Sequence, residues 1–283
     1  MSVTTKARLR LNFLLRPFNL RLETLTAQMI DAARINRLNV RGYFAEPSFP
    51  LLPGMVEFDI EQINHLGRQY SAKLKVLMSG SGTEGYSPSN AFFDAPDAEI
   101  LYLMVRSLQP KRILEIGSGN STKICKQAIS DGDIKTEHIA IDPAPRTDIT
   151  ETVKKLILQR LEDVEIEKLV YSLGRDDILF IDSSHEVRVA NDVAKLFCNV
   201  LPLLPQGVVV HVHDIFLPFD YPYDFAKNFT GWGEQYLLQL YLQSRKHEIL
   251  WPGFYVQNLR KKDYERLDFL GTGRAQSFWF RVV

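Results

Sequence analysis

The chain has 283 residues, which is enough for one full domain with an extension, and its 45% apolar and 24% charged residues are typical of a globular protein. Lys+Arg and Asp+Glu balance at 34 each, so no overall charge favours nucleic acid as a partner. No apolar run reaches the length of about 18 residues that marks a transmembrane helix. Two cysteines, Cys125 and Cys198, are too few for a disulfide framework, and we expect both to be reduced core residues of a cytoplasmic protein.

Residues 1–85 are predicted to form a helical extension that ends in a Gly/Ser-rich loop at residues 78–90, and residues 86–283 are predicted to form the main domain. Residues 1–22 contain five basic residues and no acid. We expect a basic arm that packs on the domain or on a neighbouring subunit, which would make a homo-oligomer through the extension. A transit peptide or a membrane-surface helix is the alternative interpretation.

The main domain alternates strand and helix patterns, which predicts a mostly parallel sheet with helices on both faces and an antiparallel pair at the C-terminus. The predicted strands are residues 112–117, 138–143, 155–161, 177–182, 207–216, 247–253 and 276–283. The predicted helices are residues 121–129, with Ser121 as N-cap, 186–201 and 234–244.

Two glycine loops match cofactor-binding patterns to different degrees. The first, GSGTEG at residues 80–85, has the G-x-G-x-x-G spacing, but the following YSPSN does not open a helix. We interpret it as a flexible loop, with closure over a ligand as a further option. The second, LEIGSGNST at residues 114–122, has G-x-G between a strand and a helix, where Gly117 and Gly119 allow the backbone to approach a ligand closely.

Acidic residues flank the second loop. Glu115 lies inside the first strand, where a buried acid needs a partner. Asp142 ends the next strand, at the place where an acid accepts hydrogen bonds from the hydroxyls of a ribose. A dinucleotide site prefers a third glycine, which this loop lacks. The alternative is a plain strand–turn–helix whose acids have protein partners.

The strand acid, the G-x-G loop, Asp142 and the C-terminal strand pair resemble the Rossmann-like, doubly wound fold of class I S-adenosylmethionine-dependent methyltransferases. The elements IDSSH, residues 181–185, and HDI, residues 213–215, are similar to a bacterial group related to the macrocin O-methyltransferase and cephalosporin-hydroxylase-like families. The resemblance covers residue 86 to the C-terminus. It implies S-adenosylmethionine as cofactor, bound by Glu115, Gly117, Ser118, Gly119, Ser121, Asp142, Asp163 near the adenine, and Asp182.

The same resemblance implies that Asp182, His213 and Asp214 hold a divalent metal, Mg²⁺ or Mn²⁺. His213 stands where the relatives have a carboxylate, and a histidine suits Mn²⁺, Fe²⁺ or Zn²⁺ better than Mg²⁺. Without a metal, His185 or His213 would be the general base, with His185 as first choice. We expect His211, on the same strand face as His213, to be a buried neutral histidine bonded to a neighbour.

Aromatic residues follow this polar region. The segment FLPFDYPYDF, residues 216–225, is predicted to form an apolar wall or lid for an acceptor, or else a packed loop over the sheet edge. Trp232, Tyr236 and Tyr241 fit the core face of the helix at residues 234–244.

The predicted function is O-methyl transfer from S-adenosylmethionine to a hydroxyl of a small acceptor, with a sugar or glycosylated metabolite as the expected class. One alternative is a metal-dependent oxygenase or hydroxylase on the same scaffold, with a 2-His-1-carboxylate set built from His185, His213 and either Asp182 or Asp214. The other alternative is a non-catalytic, cofactor-binding scaffold protein.

Overall fold

The computed structural model describes residues 3–20, 22, 26–82, 84–228 and 231–283. Within these residues, seven strands form one sheet in the order β3-β2-β1-β4-β5-β7-β6. The strands β1 to β5 are parallel, and β7 runs antiparallel to both β5 and β6. The predicted fold class is therefore confirmed. The strands are β1 (Arg112–Ile116), β2 (Glu137–Ile141), β3 (Lys155–Ile157), β4 (Ile178–Ile181), β5 (Val209–Val212), β6 (His247–Pro252) and β7 (Phe278–Val282).

Helices cover the sheet and form the N-terminal extension. In the described part of the chain they are α1 (Val3–Leu15), α2 (Thr26–Val40), α3 (Ile60–Gln69), α4 (Ser71–Met78), α5 (Asp97–Leu108), α6 (Asn120–Gly132), α7 (Ile166–Val170), α8 (Asp192–Lys195), α9 (Tyr223–Asn228), α10 (Glu234–Ser244), α11 (Gly253–Leu259) and α12 (Lys261–Tyr264). Among the helices of the described residues, none combines the length and the apolar character that crossing a membrane requires.

The strand order reverses between β1 and β4, and this reversal positions the site. β4 is apolar and fully buried, and β1 is buried from Ile113 to Ile116, as strands covered by helices on two faces are. The backbone N–H of Asp182 donates to the carbonyl of Ile116 at 2.9 Å, so the ends of the two strands are joined. In open parallel sheets, ligands bind beyond the carboxyl ends of the strands at such a reversal.

The extension divides into two parts by burial. Leu52, Met55 and Leu77 are buried in the same apolar core as the sheet. In α1, Phe13 and Leu14 are instead largely exposed. The division of the chain at residue 85 stays a prediction.

Several local predictions need correction. Helix α6 begins at Asn120 with Gly119 as N-cap, and Ser121 caps nothing because its hydroxyl donates to Glu115. The helix predicted at residues 186–201 begins only at Asp192, because the side chain of Asn191 caps it there.

The third strand is also shorter than predicted, since it ends at Ile157 and a 3₁₀ turn occupies Leu161–Asp163. Cys125 is buried as expected, but Cys198 is exposed. It lies in a π-helical segment, Leu196–Val200, whose wider turn places this residue outside the core.

Candidate functional site

A cleft of about 800 Å³ lies beyond the carboxyl ends of the parallel strands. It extends from the loop after β1 to the loops after β4 and β5, where the sheet order reverses. The residues that line it include Phe92, Gly117, Ser118, Asp142, Leu161, Glu162, Asp182, His185, His213, Asp214, Trp232 and Gln276.

The glycine loop forms one end of the cleft. Gly117 has φ +77°, and a Cβ at this position would overlap the backbone oxygen of Asp182. Glycine is therefore required, both for the left-handed backbone and for the contact between the ends of β1 and β4. Gly119 donates its N–H to Thr122 Oγ1 at 2.9 Å, which stabilises the start of α6.

Asp142 is held by the same loop. Its Oδ2 accepts hydrogen bonds from the N–H and the hydroxyl of Ser118 at 2.9 and 2.8 Å. Its Oδ1 accepts from the N–H of Ala144 at 2.8 Å. A carboxylate has about four acceptor positions, so Asp142 is fixed in orientation and still able to accept from a ligand.

Glu115 and Ser121, both predicted to bind cofactor, lie behind the cleft and not in its lining. Glu115 is fully buried, with Ser121 Oγ 2.7 Å from Oε1 and His138 Nε2 2.7 Å from Oε2. These bonds satisfy the buried acid and connect β1 to α6 and β2. These bonds hold the two elements that flank the glycine loop, β1 and α6, in place.

Asp163, predicted near the adenine, is exposed and does not line the cleft. It ends the 3₁₀ turn after β3, and that turn presents Leu161 and Glu162 to the cleft instead. The pattern of residue types carries no signal that distinguishes Asp163 from Glu162, because the choice depends on where the strand stops.

At the other end of the cleft, three side chains converge. Asp182 follows β4, His185 comes three residues later, and Asp214 follows β5. His185 Nε2 lies 3.4 Å from Asp182 Oδ1 and 3.3 Å from Asp214 Oδ2. His185 and Asp214 both have positive φ, 59° and 56°, which is uncommon outside glycine and is found at functional sites. We call Asp182, His185 and Asp214 the carboxylate–histidine cluster.

Glu234 and Trp232, neither of them predicted to act at the site, fix the imidazole of His185. Glu234, at the start of α10, is fully buried, and its Oε2 lies 2.9 Å from His185 Nδ1. Its other oxygen accepts from Ser183 Oγ at 2.9 Å. The ring of Trp232 lies 4.3 Å from the His185 ring, centroid to centroid. Trp232 therefore belongs to the cleft and not to the core face of α10, because it precedes the first turn of that helix.

The cluster changes the proton affinities of its members. Burial by itself would lower the pKa of His185, but hydrogen bonds to Asp182 and Glu234 outweigh burial and raise the pKa to about 10. Burial would raise the pKa of Asp182, yet bonds from His185 and His213 hold it well below its usual value. Burial raises the pKa of Asp214. At neutral pH His185 therefore carries a proton and is positively charged between carboxylates.

His213 lies deeper than His185. It is 2% exposed, and its Nδ1 is 3.7 and 3.8 Å from the oxygens of Asp182 and Asp214. Its Nε2 lies 3.4 Å from Asp97 Oδ2, a residue of α5 that no sequence pattern singled out. The Phe93 ring covers it, with the two centroids 4.8 Å apart. Burial opposes its charge, but the neighbouring carboxylates raise its pKa well above the usual value.

The prediction for His211 is confirmed. This side chain is fully buried, its Nε2 lies 2.9 Å from Ser277 Oγ, and it stacks on Phe180 at 4.0 Å. Burial lowers its pKa well below the usual value, so it is neutral.

The carboxylate–histidine cluster is a possible donor set for a divalent cation. The ligand atoms of Asp182, His185 and Asp214 all lie within 4.8 Å of one another. His185 Nε2 faces the two carboxylates while Nδ1 is bonded to Glu234, the arrangement of a metal-ligating histidine with a supporting carboxylate. These residues fit a cation, and two carboxylates with one imidazole suit Mn²⁺, Fe²⁺ or Zn²⁺ better than Mg²⁺. His213, the histidine in the predicted ligand set, is farther from both carboxylates.

Residues 114–215 match a protein-family model described as a methyltransferase domain. Over these residues the chain is therefore similar to a methyltransferase domain. The match includes the glycine loop, Asp142 and the whole carboxylate–histidine cluster. No curated protein matches the sequence.

Solved methyltransferase structures are similar to parts of the chain at low identity. The apo structure of CmcI is 13% identical over 66% of this chain and 71% of that chain, with a TM-score of 0.42. TomG from Streptomyces achromogenes, an O-methyltransferase of tomaymycin synthesis in complex with SAM, is 16% identical over 87% and 96%, with a TM-score of 0.35. MycE, from the mycinamycin pathway in complex with Mg, SAH and mycinamycin VI, is 15% identical over 77% and 54%, with a TM-score of 0.41.

Proposed function

We propose that the methyltransferase domain transfers the methyl group of S-adenosylmethionine to a hydroxyl of a small acceptor, with a sugar or glycosylated metabolite as the acceptor class. One observation carries this proposal. A single cleft has at one end the carboxylate of Asp142, which is fixed by Ser118 and can accept further hydrogen bonds, and at the other end the carboxylate–histidine cluster. Such a cleft can hold the cofactor and receive a proton from the acceptor beside it.

In this proposal Asp142 accepts the ribose hydroxyls, and the backbone at Gly117 and Ser118 lies along the cofactor. Leu161 and Glu162 take the place beside the adenine that Asp163 was expected to take. Glu115, Gly119 and Ser121 support the loop without lining the cleft. Asp182 would contact the methionine end of the cofactor and the acceptor, and its position at the joined ends of β1 and β4 supports this role.

The reaction requires the acceptor oxygen to attack the methyl carbon while the carbon–sulfur bond breaks, and the hydroxyl proton must leave. The sequence favours His185 as the base, but a histidine that already holds a proton cannot accept one. Asp214 is better suited, because burial raises its pKa and so its proton affinity. We propose that Asp214 takes the proton and that His185 orients the carboxylates of Asp182 and Asp214. His213, which lies deeper, contacts the same two carboxylates.

A divalent cation fits the same residues. Asp182, His185 and Asp214 would hold it, and when bound it would supply positive charge that favours ionisation of the acceptor hydroxyl. In that state His185 is neutral, because a metal-ligating imidazole nitrogen carries no proton. The role of Glu234 is the same in both states, since it fixes Nδ1.

The first test is calorimetry with S-adenosylmethionine and with its demethylated product. Binding at tens of micromolar or tighter, weakened by Asp142→Asn, supports the cofactor site. If neither compound binds, the cofactor assignment fails and the non-catalytic scaffold is the better explanation.

The second test supplies methyl-labelled cofactor with a panel of hydroxylated sugars and glycosides, with and without Mn²⁺. Label recovered as a methyl ether supports O-methyl transfer. Oxygen consumption with Fe²⁺ in air, without methyl transfer, would instead establish the oxygenase.

We also propose that the enzyme works in the cytoplasm as a homo-oligomer assembled through its extension. The exposed apolar side chains of Leu9, Phe13 and Leu14 on α1, beside basic residues, support a contact there. Light scattering of the full chain, compared with a Phe13→Glu variant, tests it. A monomeric mass for the full chain would contradict the oligomer.

A further inference from the structure

A second cavity, of about 650 Å³, lies beside the cleft. Helix α4, the segment at residues 88–99 and the loop at residues 268–276 enclose it. Ala91, Phe92 and Gln276 line both this cavity and the cleft, so the two spaces share a wall. Neither the cofactor nor the proton transfer proposed above uses this space.

Carboxylates dominate the charged lining of the second cavity. Among the described residues, four acids line it, whereas the basic residues in the lining are Lys75 and Arg274. Arg274 forms an ion pair with Asp224 at 2.9 Å, so its charge is already compensated. The acids are Asp94, Asp97, Glu99 and Asp268.

Two of these acids are already occupied by backbone donors. Asp94 accepts from the N–H groups of Asn90 and Ala91 at 2.8 and 3.0 Å. Asp97 accepts from the N–H groups of Gln276 and Ser277 at 2.9 and 3.1 Å. Their role is to hold the loops that form the cavity walls.

Glu99 differs from these two. It lies in the first turn of α5 and is fully buried. Its Oε1 accepts from the N–H of Gly271 at 2.7 Å, but its Oε2 has no hydrogen-bond partner among the residues that the structure describes. A buried carboxylate oxygen without a donor is costly, and a cationic donor is the partner that compensates it best.

Asp97 connects this cavity to the chemistry of the cleft. Its Oδ2 lies 3.4 Å from His213 Nε2, and His213 lines the cleft. The two spaces adjoin at Phe92 and Gln276. A molecule lying along these two side chains would have one end near Asp214 and the other near Glu99.

We propose that the second cavity binds a positively charged amino group of the acceptor, which pairs with Glu99, so that the enzyme selects amine-bearing hydroxylated molecules. The selectivity for an acceptor rests on the proposed methyl transfer, but amine binding by the cavity does not. The partner of the amine is the Glu99 carboxylate, and the walls are set by the loops that Asp94 and Asp97 hold.

The test measures binding of cyclohexylamine and cyclohexanol to the full chain at pH 8, without cofactor, by amide chemical shifts. The two probes have the same ring and differ in charge. We expect cyclohexylamine to bind at least about tenfold more tightly and to shift the amides of Gly271 and Gly273, which line the cavity. Equal affinities, or shifts confined to other parts of the chain, would overturn the proposal.

Variants locate the interaction. Glu99→Gln should lower the affinity for cyclohexylamine about tenfold and leave the affinity for cyclohexanol unchanged. The control variant Glu265→Gln removes an exposed acid elsewhere and should change neither affinity. Thr272→Trp places a large ring at an exposed position of the lining and should abolish amine binding. Unchanged amine affinity in Glu99→Gln would refute the pairing. If that variant does not fold, unchanged affinity in Thr272→Trp would refute the cavity.

The product S-adenosylhomocysteine is titrated into the same samples. If S-adenosylhomocysteine does not bind, the proposed function is refuted, whereas the conclusion about amine binding is unaffected. If S-adenosylhomocysteine binds but cyclohexylamine binds no more tightly than cyclohexanol, only the inference about the second cavity is refuted.

Discussion

Glu234 Oε2 lies 2.9 Å from His185 Nδ1, while the other nitrogen of the same ring faces Asp182 and Asp214. The imidazole is therefore held from two sides, and its orientation depends on a residue 49 positions away along the chain. Because Glu234 does not line the cleft, it acts through His185.

Replacing Glu234 by Gln tests this positioning role. The variant should lower kcat by about 10- to 100-fold with little change in the affinity for S-adenosylhomocysteine. The pKa of His185 should fall from its value of about 10, because one of the carboxylates that raises it is gone. NMR titration of the His185 ring measures this directly. An unchanged His185 pKa with reduced activity would indicate a purely structural role.

Metal binding discriminates between the two histidines. His185→Ala should weaken Mn²⁺ binding by at least about tenfold, because Nε2 of His185 lies within 3.4 Å of both carboxylates. His213→Ala should have a smaller effect, since its Nδ1 is 3.7 Å or more from the same oxygens. Calorimetry with Mn²⁺ alone gives both values. The opposite ranking would restore His213 to the ligand set.

Asp142 and Asp163 give a matched pair for the cofactor site. Asp142→Asn should weaken binding of S-adenosylhomocysteine about 10- to 100-fold, because it removes a charged acceptor of hydroxyl hydrogen bonds. Asp163→Asn should leave that affinity unchanged, because Asp163 is exposed and outside the cleft. Both affinities come from calorimetry, and a large effect at Asp163 would contradict the placement of the 3₁₀ turn.

Gly117 and Gly42 share φ +77°, but their surroundings differ. A Cβ on Gly117 would overlap the carbonyl oxygen of Asp182, whereas a Cβ on Gly42 would meet no atom of the described residues within 4 Å. Gly42→Ala should therefore lower the free energy of unfolding by about 1 kcal/mol through backbone strain alone. Gly117→Ala should cost several-fold more, or prevent folding. Urea unfolding of both variants measures the difference, and equal losses would contradict the close contact of β1 and β4.

Burial raises the pKa of Glu99 to about 7 from its ordinary 4.5, partly offset by the bond from Gly271. The folded chain therefore binds this proton more tightly than the unfolded chain, so Glu99 makes stability fall as pH rises from about 4.5 to above 7. Between pH 5.5 and pH 8.5 the loss is about 2 kcal/mol. Glu99→Gln should remove that loss. The free energy of unfolding of the variant minus that of the wild type should therefore rise by about 2 kcal/mol from pH 5.5 to pH 8.5. If the difference between the two free energies does not vary with pH, the pKa of Glu99 is not raised in the folded chain.

Much of the fold could be predicted because the local patterns are strong. Short apolar runs such as ILFI at β4 leave few alternatives to buried strands, and the glycine loop after β1 has the residue types that a tight turn needs. The limits of elements were harder to predict. Helix α8 begins at Asp192 and not at residue 186, because the side chain of Asn191 caps the helix there and overrides the helix propensity of the preceding residues.

The sequence by itself determined that acidic and histidine side chains follow β4 and β5 and that an acid follows β2, because alternation and strand order require them at one sheet edge. Only the tertiary structure decided which of these side chains meet. Glu234 and Asp97 reach the two histidines from helices distant in the chain, and distances of a few ångströms across such separations depend on packing, not on local pattern. The same packing turned Glu115 inward to Ser121 and His138, left Asp163 outside the cleft, and enclosed Glu99 in a second cavity.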